Sequence, residues 1–150
     1  MTERYETFTI LINRISRNIK KIKNLEMVEH GLRSSHISCL YYLYKTDNMT
    51  ATELCEKCED DKATISRSLD YLEENGYIIS ETKNTKKYKS PVTLSQKGKK
   101  AGKEIADKID KVLDDISSEL SEAERTEFYR CLTVISNGLD NMVKKLEEKD

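Results

Sequence analysis

Apolar residues near the start of the chain recur every three or four positions, which is the period of an amphipathic helix. This first stripe consists of Phe8, Leu11, Ile15, Ile19, Ile22 and Leu25. Two stripes of the same period lie near the other end, and their members are Ala101, Ile105, Ile109, Val112 and Ile116, then Phe128, Leu132, Ile135, Leu139, Met142 and Leu146. The pattern predicts one long helix over residues 2–25 and two long C-terminal helices, the last of which begins at a Ser121–Glu124 capping box.

Two shorter helices are predicted after the break at Gly31. Ser34 or Ser35 is expected to cap the first, whose pattern comprises Ile37, Leu40, Tyr41 and Tyr44 and ends at Asp47-Asn48. Thr50 is expected to cap the second through a capping box with Glu53. In that arrangement the hydroxyl accepts from the amide three residues on, and the carboxylate accepts from the capping residue's own amide.

A third helix is predicted over residues 62–75, capped by Asp61 and packed through Ile65, Leu69 and Leu72. Asn75-Gly76 is expected to end it, because glycine readily adopts the left-handed conformation found after many helices. Two short runs of β type follow at residues 77–80 and 91–94, joined by a polar, lysine-rich segment. They predict a β-hairpin with a protruding loop. Pro91 lacks a backbone donor and therefore places its strand at a sheet edge or a bulge.

Short helices followed by a hairpin form the element order of a winged helix-turn-helix domain. The expected fold is mainly α with a small β-hairpin wing. A DNA-binding lobe over residues 31–97 would be flanked by dimerisation helices in residues 1–30 and 98–150. The third helix is the expected recognition helix, and such helices contact DNA mainly through their N-terminal residues. Here those residues are Lys62, Ala63, Thr64, Ser66 and Arg67.

Charge is distributed unevenly along the chain. The 150 residues carry a formal charge of −1, which taken alone argues against a nucleic-acid partner. Residues 80–103, however, contain eight lysines and one acidic residue, a local charge of +7 against −8 elsewhere. The hairpin-loop lysines expected to follow the DNA backbone or a minor groove are Lys83, Lys86, Lys87 and Lys89. The alternative is an ordinary solvated lysine loop.

The remaining candidate chemistry favours structural roles. No apolar run is long enough for a membrane span and no signal-peptide pattern is present, so we expect a cytoplasmic chain with reduced cysteines. Cys55-x-x-Cys58 lacks the further ligands of a zinc site, and its acidic surroundings disfavour thiolates, so core packing is favoured over redox sensing. His36 and Cys39 share a helix face without the other parts of a nucleophilic site. We therefore expect no metal, no cofactor and no enzymatic activity.

Residues 54–78, which read LCEKCEDDKATISRSLDYLEENGYI, resemble the helix-turn-helix of MarR-type transcriptional regulators. The segment VTLSQKG at residues 92–98 resembles the strand-to-helix junction after the wing in that family. The resemblance implies a homodimer with interlocked terminal helices, which binds a pseudo-palindromic operator in double-stranded DNA. It also implies control by a small ligand, an oxidant or a metal. One difference lies at the wing tip, where the family typically carries Asp-Arg and this chain has Lys86-Lys87-Tyr88 without the planar guanidinium.

The terminal stripes favour a dimer independently of that resemblance, because a small winged domain cannot cover all three. A symmetric interface between two copies would bury them. The alternative is a monomeric bundle that packs the stripes internally. A face containing His36 and Tyr41 or Tyr42 could line a pocket for a small-molecule effector, although no residue identifies the ligand.

These patterns predict a sequence-specific, DNA-binding transcriptional regulator, most simply a repressor released by a small ligand or a redox signal. No membrane partner is expected. The alternative is a helical, dimeric protein-interaction module that uses the basic loop as a docking patch. Steep salt dependence of DNA binding would distinguish the first from the second, because each neutralised phosphate releases a counterion.

Overall fold

A computed structural model describes residues 2–80 and 90–149 of the chain. Its helices are α1 (Thr2–Glu26), α2 (Ser34–Thr46), α3 (Ala51–Cys58), α4 (Lys62–Glu74), α5 (Gln96–Ile116) and α6 (Glu122–Glu147). A single 3-10 turn, Val28–His30, follows α1, and two strands, β1 (Ile78–Ser80) and β2 (Val92–Leu94), separate α4 from α5. The chain forms two compact units, residues 1–109 and 110–150. The predicted element order is confirmed, and the chain is mainly helical with a small hairpin.

The first unit is built around a core to which almost every element contributes. Its fully buried side chains include Met27, Leu32, Ile37, Cys39, Leu40, Leu43, Leu54, Ile65, Leu72 and Ile105. Helix α2 runs through this core and packs on α1, α3, α4 and β2. Helix α4 is therefore attached to the lobe by the same apolar face that its sequence period predicts, with Leu69 only partly buried.

The hairpin pairs β1 and β2 antiparallel, with Ile78 opposite Leu94 and Ser80 opposite Val92. The Val92 amide also donates to the Met49 carbonyl at 2.9 Å, so β2 has a neighbour on both sides. Pro91 lies just before the strand, so the pairing of β1 with β2 does not use the backbone donor that proline lacks. The hairpin is fastened to the lobe through this bridge as well as through α4.

Helix starts follow the sequence except at α2. The Thr50–Glu53 and Ser121–Glu124 capping boxes are confirmed, with the Thr50 amide donating to Glu53 Oε2 at 2.7 Å. The expectation that Ser34 or Ser35 caps α2 is wrong, because the capping position is Arg33. The Arg33 amide donates to His36 Nδ1 at 3.0 Å, and the Ser34 amide donates to Asn24 Oδ1 at 2.7 Å. The acceptors of this helix start thus come from an imidazole and from α1, which local capping statistics do not anticipate.

Helix α5 begins in very close contact with the hairpin. Gly98 lies against the Tyr77 carbonyl, and a Cβ placed on Gly98 would be 1.9 Å from that oxygen. Four residues later, a Cβ on Gly102 would be 2.6 Å from Tyr44 Cβ. Both glycines are therefore required by the close approach of α5 to neighbouring backbone and side chains.

An ion-pair network joins α5 to the end of α1 within the first unit. Lys108 Nζ lies 3.6 Å from a Glu26 carboxylate oxygen and 3.3 Å from Glu104 Oε1, and it donates to the Glu26 carbonyl at 2.8 Å. His30 Nε2 lies 3.4 Å from the same Glu104 oxygen. Because these groups are partly exposed, the network contributes more to the relative orientation of α1 and α5 than to stability.

Large apolar side chains remain exposed on α1 and on α6. On α1 they include Ile10, Leu11, Ile15, Ile19 and Leu25. On α6 they include Phe128, Val134, Ile135, Leu139, Met142 and Leu146. Neither helix, nor any other in residues 2–80 and 90–149, combines the length and the apolarity needed to cross a bilayer.

Candidate nucleic-acid interface

Helix α4 presents one face to the core and the opposite face to solvent. Ile65, Ser68 and Leu72 are buried, whereas Lys62, Ala63 and Arg67 are exposed. Thr64 and Ser66, the other two candidate residues on this helix, are half-buried at the margin of the exposed face. The structure therefore brings all five predicted positions together around the first two turns of α4.

The first turn of α4 is held by side-chain hydrogen bonds. Asp61 Oδ1 accepts from the Thr64 amide at 2.7 Å, which confirms the predicted cap. Hydrogen bonds from Thr64 lower the pKa of the Asp61 carboxyl. Arg67 Nη2 donates to Thr64 Oγ1 at 3.3 Å, so the guanidinium is directed back toward the helix start. Thr64 thus positions Arg67, a role that the sequence pattern did not distinguish from direct contact with DNA.

Replacing Asp61 with alanine is expected to lower the thermal unfolding midpoint, whereas Asp61→Asn retains a capping oxygen and is expected to preserve it. Because folding lowers the pKa of Asp61, the carboxylate contributes its full stabilisation above the pKa that it has in the unfolded chain. That stabilisation is lost as the pH falls through the lower pKa of the folded protein. Thermal unfolding at neutral pH and below pH 4 measures both effects. A wild-type acid sensitivity that persists unchanged in Asp61→Asn would contradict this account of the cap.

Helices α2 and α4 are joined by polar and aromatic contacts that local patterns did not reveal. The hydroxyls of Ser35 and Ser68 hydrogen-bond to each other across the two helices. The His36 ring stacks on the Tyr71 ring with centroids 4.3 Å apart and planes inclined by 12°. Tyr71 Oη donates to the Gly31 carbonyl at 3.0 Å. In the sequence, the only sign of these contacts is Ser68, a serine at a buried position beside the apolar stripe of α4.

The position of His36 makes the α2–α4 contact sensitive to acid. Burial, followed by the charge of Arg33, lowers the pKa of His36. His36 Nδ1 accepts a hydrogen bond from the Arg33 amide, so protonation of Nδ1 removes the acceptor and breaks that bond. His36 therefore binds a proton more readily in the unfolded chain than in the folded protein. Stability is lost as the pH falls from the pKa of His36 in the unfolded chain, near 6.5, through its lower pKa in the folded protein.

We expect the thermal midpoint of the wild type to fall between pH 7.5 and pH 5.5, two values on either side of the ordinary histidine pKa of about 6.5. In His36→Asn the side-chain oxygen can accept the same amide hydrogen without titrating, so most of that fall is expected to disappear. Differential scanning calorimetry at the two pH values measures the effect. Equal falls in both proteins would show that His36 is not the titrating group.

At the junction between β2 and α5, lysines of the basic stretch (residues 80–103) bind groups of the chain itself. Lys97 Nζ donates to the Asn75 carbonyl at 2.7 Å and lies 4.3 Å from the centre of the Tyr77 ring. A cation at the C-terminal end of α4 also interacts favourably with the helix dipole. Lys103 is paired with Asp107 at 2.6 Å. Of the four lysines of this stretch that the structure describes, Lys97 and Lys103 are thus engaged by the chain's own acceptors, which the charge sum could not show.

The wing-loop lysines, Lys83, Lys86, Lys87 and Lys89, lie outside the described residues. What the structure describes is the base of the wing, where the chain leaves β1 at Ser80 and enters β2 at Val92. The assignment of these lysines to the DNA backbone therefore stays a prediction.

The cysteines and histidines do not form the sites first considered. Cys55 and Cys58 pack against the core, and the pKa of Cys55 is raised, as expected, although burial is the main cause and the acidic Asp61 and Asp60 add less. For Cys58 the expectation is wrong, because a hydrogen bond from the Cys39 thiol lowers its pKa. His36 is engaged by Arg33 and Tyr71. Within residues 2–80 and 90–149, no three His, Cys, Asp or Glu side chains are grouped so that they could hold a metal ion.

Comparison with known proteins points to one group of regulators. Residues 30–86 match the model of the MarR family. The chain is 29% identical over 117 residues to the HTH-type transcriptional regulator YwoH of Bacillus subtilis, covering 78% of this chain and 85% of YwoH. It is 25% identical over 135 residues to the HTH-type transcriptional regulator BilQ of Clostridioides difficile, covering 89% and 90%. The crystal structure of a Staphylococcus aureus MepR–DNA complex has the same fold, with a TM-score of 0.77 and 22% identity over 88% of this chain and 97% of that one.

Proposed function

Because this chain is a MarR-type transcriptional regulator, we propose that it binds an operator in double-stranded DNA through α4 and the wing. The observation that carries the proposal is the exposed face of α4, where Lys62, Ala63 and Arg67 project from a helix start fixed by Asp61. Recognition helices use this part of the helix in the major groove. The MepR relative of the same fold was crystallised with DNA, which supports this use of the fold.

Within this proposal the residues of α4 have different tasks. Arg67 offers a planar fork suited to the O6 and N7 atoms of guanine. Lys62 supplies a positive charge at the helix start, where phosphate is favoured, and Ser66 supplies a hydroxyl. Ala63 allows close approach to the groove, with its methyl able to contact a thymine methyl. Thr64 holds Arg67 in place.

We further propose that the functional form is a homodimer. The exposed apolar side chains along α1 and along α6 form stripes much longer than the isolated apolar residues usual on a monomer surface. A second copy offers the same stripes, so a two-fold interface would bury both sets at once. Two α4 helices would then read a pseudo-palindromic operator. Leu139→Glu is expected to shift the sedimentation profile from dimer to monomer.

Under the same proposal the protein regulates transcription and catalyses no reaction. We place it in the cytoplasm. There it would act as a repressor that a small ligand or a redox signal releases from DNA. A change in the separation of the two α4 helices would shift the population between operator-binding and non-binding states. The division into terminal dimerisation helices and a DNA-binding lobe over residues 31–97 belongs to this proposal.

The test is fluorescence anisotropy with DNA from upstream of the coding sequence, at several salt concentrations. We expect tight binding that weakens steeply with salt, and Lys86→Ala/Lys87→Ala is expected to weaken it further. The slope of log affinity against log salt should become shallower by roughly 0.9 for each phosphate that the variant no longer neutralises. The control is Lys144→Ala/Lys145→Ala, an exposed lysine pair on α6 that leaves the wing intact.

An unchanged slope in the wing variant would remove the wing from the DNA interface. If no complex forms at physiological salt with any upstream fragment, DNA binding itself fails. That result would favour the alternative of a protein-interaction module that docks through its basic loop.

A further inference from the structure

Helix α1 carries a band of positive charge in addition to its apolar stripe. Residues 13–24 contain five basic side chains and no acidic one. Lys23 is engaged within the chain, because it donates to Ser38 Oγ at 3.0 Å. The other four are exposed, and none of them forms an ion pair with another residue in 2–80 or 90–149. They form the basic face of α1, which consists of Arg14, Arg17, Lys20 and Lys21.

The matching negative charge lies in the second compact unit, residues 110–150. Residues 110–127, the acidic segment, run from the end of α5 into the start of α6 and carry seven acidic and two basic side chains, a local charge of −5. Glu124 caps α6, and Glu127 is paired with Arg130. The other five acidic side chains are exposed and form no ion pair with a described residue. They are Asp110, Asp114, Asp115, Glu119 and Glu122. The basic face of α1 and the acidic segment are therefore two exposed surfaces of opposite charge.

We propose that the basic face of α1 binds the acidic segment of a second copy of this chain, and that this charge match sets the direction in which α1 packs along the α6 of that copy. Helix α1 has 25 residues and α6 has 26, so at 1.5 Å per residue each is about 38 Å long. Both have an exposed apolar stripe that a second copy can cover. Two helices of equal length can thus bury their stripes along their whole extent.

The positions of the charges favour an antiparallel arrangement. The basic face occupies the second half of α1, whereas the acidic side chains lie at and before the start of α6. Antiparallel packing brings these two regions together. Parallel packing would instead bring Lys20 and Lys21 toward Lys144 and Lys145 near the end of α6, where like charges repel.

The charges and the apolar stripes have different tasks in this interface. Burial of the stripes supplies affinity, while complementary charge at the rim supplies orientation and discrimination between partners. A two-fold axis makes each contact twice, so a mismatch in charge is felt at both ends of the dimer. A protein of the same fold that lacks either charged surface would therefore pair poorly with this chain. The inference rests on the proposed homodimer.

The experiment reverses each charged surface in the full-length chain. One variant is Lys20→Glu/Lys21→Glu, and the other is Glu119→Lys/Glu122→Lys, which leaves the Glu124 cap and the Glu127 ion pair intact. By sedimentation velocity, each variant alone is expected to dimerise at least tenfold more weakly than the wild type, because like charges then meet at both contacts. In an equal mixture, native mass spectrometry is expected to find the heterodimer above the share of random pairing, because both of its contacts join opposite charges. Such a preference arises only if the contacts run between copies.

Three further measurements guard against other causes. Lys99→Glu/Lys100→Glu reverses an exposed lysine pair on α5 and is expected to dimerise like the wild type. At about 1 M salt, where the Debye length is about 3 Å, the difference between Lys20→Glu/Lys21→Glu and the wild type is expected to shrink. A chain that carries all four reversals of the two surfaces is expected to dimerise again, which shows that the substitutions do not prevent folding.

Reversal variants that dimerise like the wild type, or a mixture that pairs at random, would overturn the charge pairing. Normal dimerisation of Lys20→Glu/Lys21→Glu together with weaker operator binding by anisotropy would assign the basic face to DNA instead. The homodimer and the charge pairing can fail separately. A monomeric wild type refutes the homodimer itself, whereas a dimeric wild type with indifferent variants refutes only the pairing.

Discussion

Arg67→Ala is expected to weaken operator binding at least about 30-fold, the largest single effect at the proposed DNA interface. A bidentate contact to a base contributes about 1–3 kcal/mol to discrimination, and a dimer makes it twice, so the combined loss is about 2 kcal/mol or more. The exposed position of Arg67 means that thermal stability should hardly change. Anisotropy with the operator and with variants at each base pair measures both affinity and preference.

Two controls separate base reading from general charge. Arg67→Lys retains the charge but lacks the planar fork, and it is expected to recover salt-dependent binding without recovering base preference. Arg125→Ala removes a matched arginine from α6 and is expected to leave affinity unchanged. A uniform loss of affinity across all operator variants would instead place Arg67 on the phosphate backbone.

Gly98→Ala is expected to cause the largest loss of stability, about 3 kcal/mol. The new methyl group would lie 1.9 Å from the Tyr77 carbonyl oxygen and 3.0 Å from Leu94 Cδ2. A backbone oxygen cannot move aside as a flexible side chain can, so either α5 or the turn before β1 must shift. Urea unfolding at one fixed protein concentration measures the loss.

Lys99→Ala is the control for Gly98→Ala, because it changes an exposed neighbour on the same helix and is expected to stay within about 0.5 kcal/mol of the wild type. Stability equal to the wild type in Gly98→Ala would show that α5 and the hairpin are not held in close contact. A shifted α5 would also disturb Lys97, whose hydrogen bond to the Asn75 carbonyl lies at the C-terminal end of α4.

The features that sequence predicts well are those that depend on neighbours along the chain. The Thr50–Glu53 box and the Asp61 cap each join residues three apart, and helical periodicity places Ile65 and Leu72 in the core. These interactions are local, so their residues recognise one another in any fold that contains the helix. The positions on the exposed face of α4 follow directly from the same period.

The features that sequence misses arise between elements. At the start of α2 the capping position is Arg33 instead of the expected serine, and the His36 ring, which stacks on Tyr71, accepts a hydrogen bond from the Arg33 amide. The use of Lys97 at the end of α4 depends likewise on how the elements pack. No spacing rule encodes such pairs, since their partners are many residues apart. Lys97 and Lys103 show the same limit, because a charge sum counts lysines without showing which acceptors engage them.

The contacts between α2 and α4 also bear on how such a regulator can diversify. Ser35 with Ser68 and His36 with Tyr71 attach α4 to its lobe through residues that face inward, while Lys62 and Arg67 face outward. If α4 reads the operator as proposed, changes to the outward residues alter which bases are preferred without altering how the helix is mounted. In the proposed dimer the preferred bases would then vary independently of the distance between half-sites, and a new operator would be acquired by exchanging a few surface residues in an otherwise unchanged scaffold.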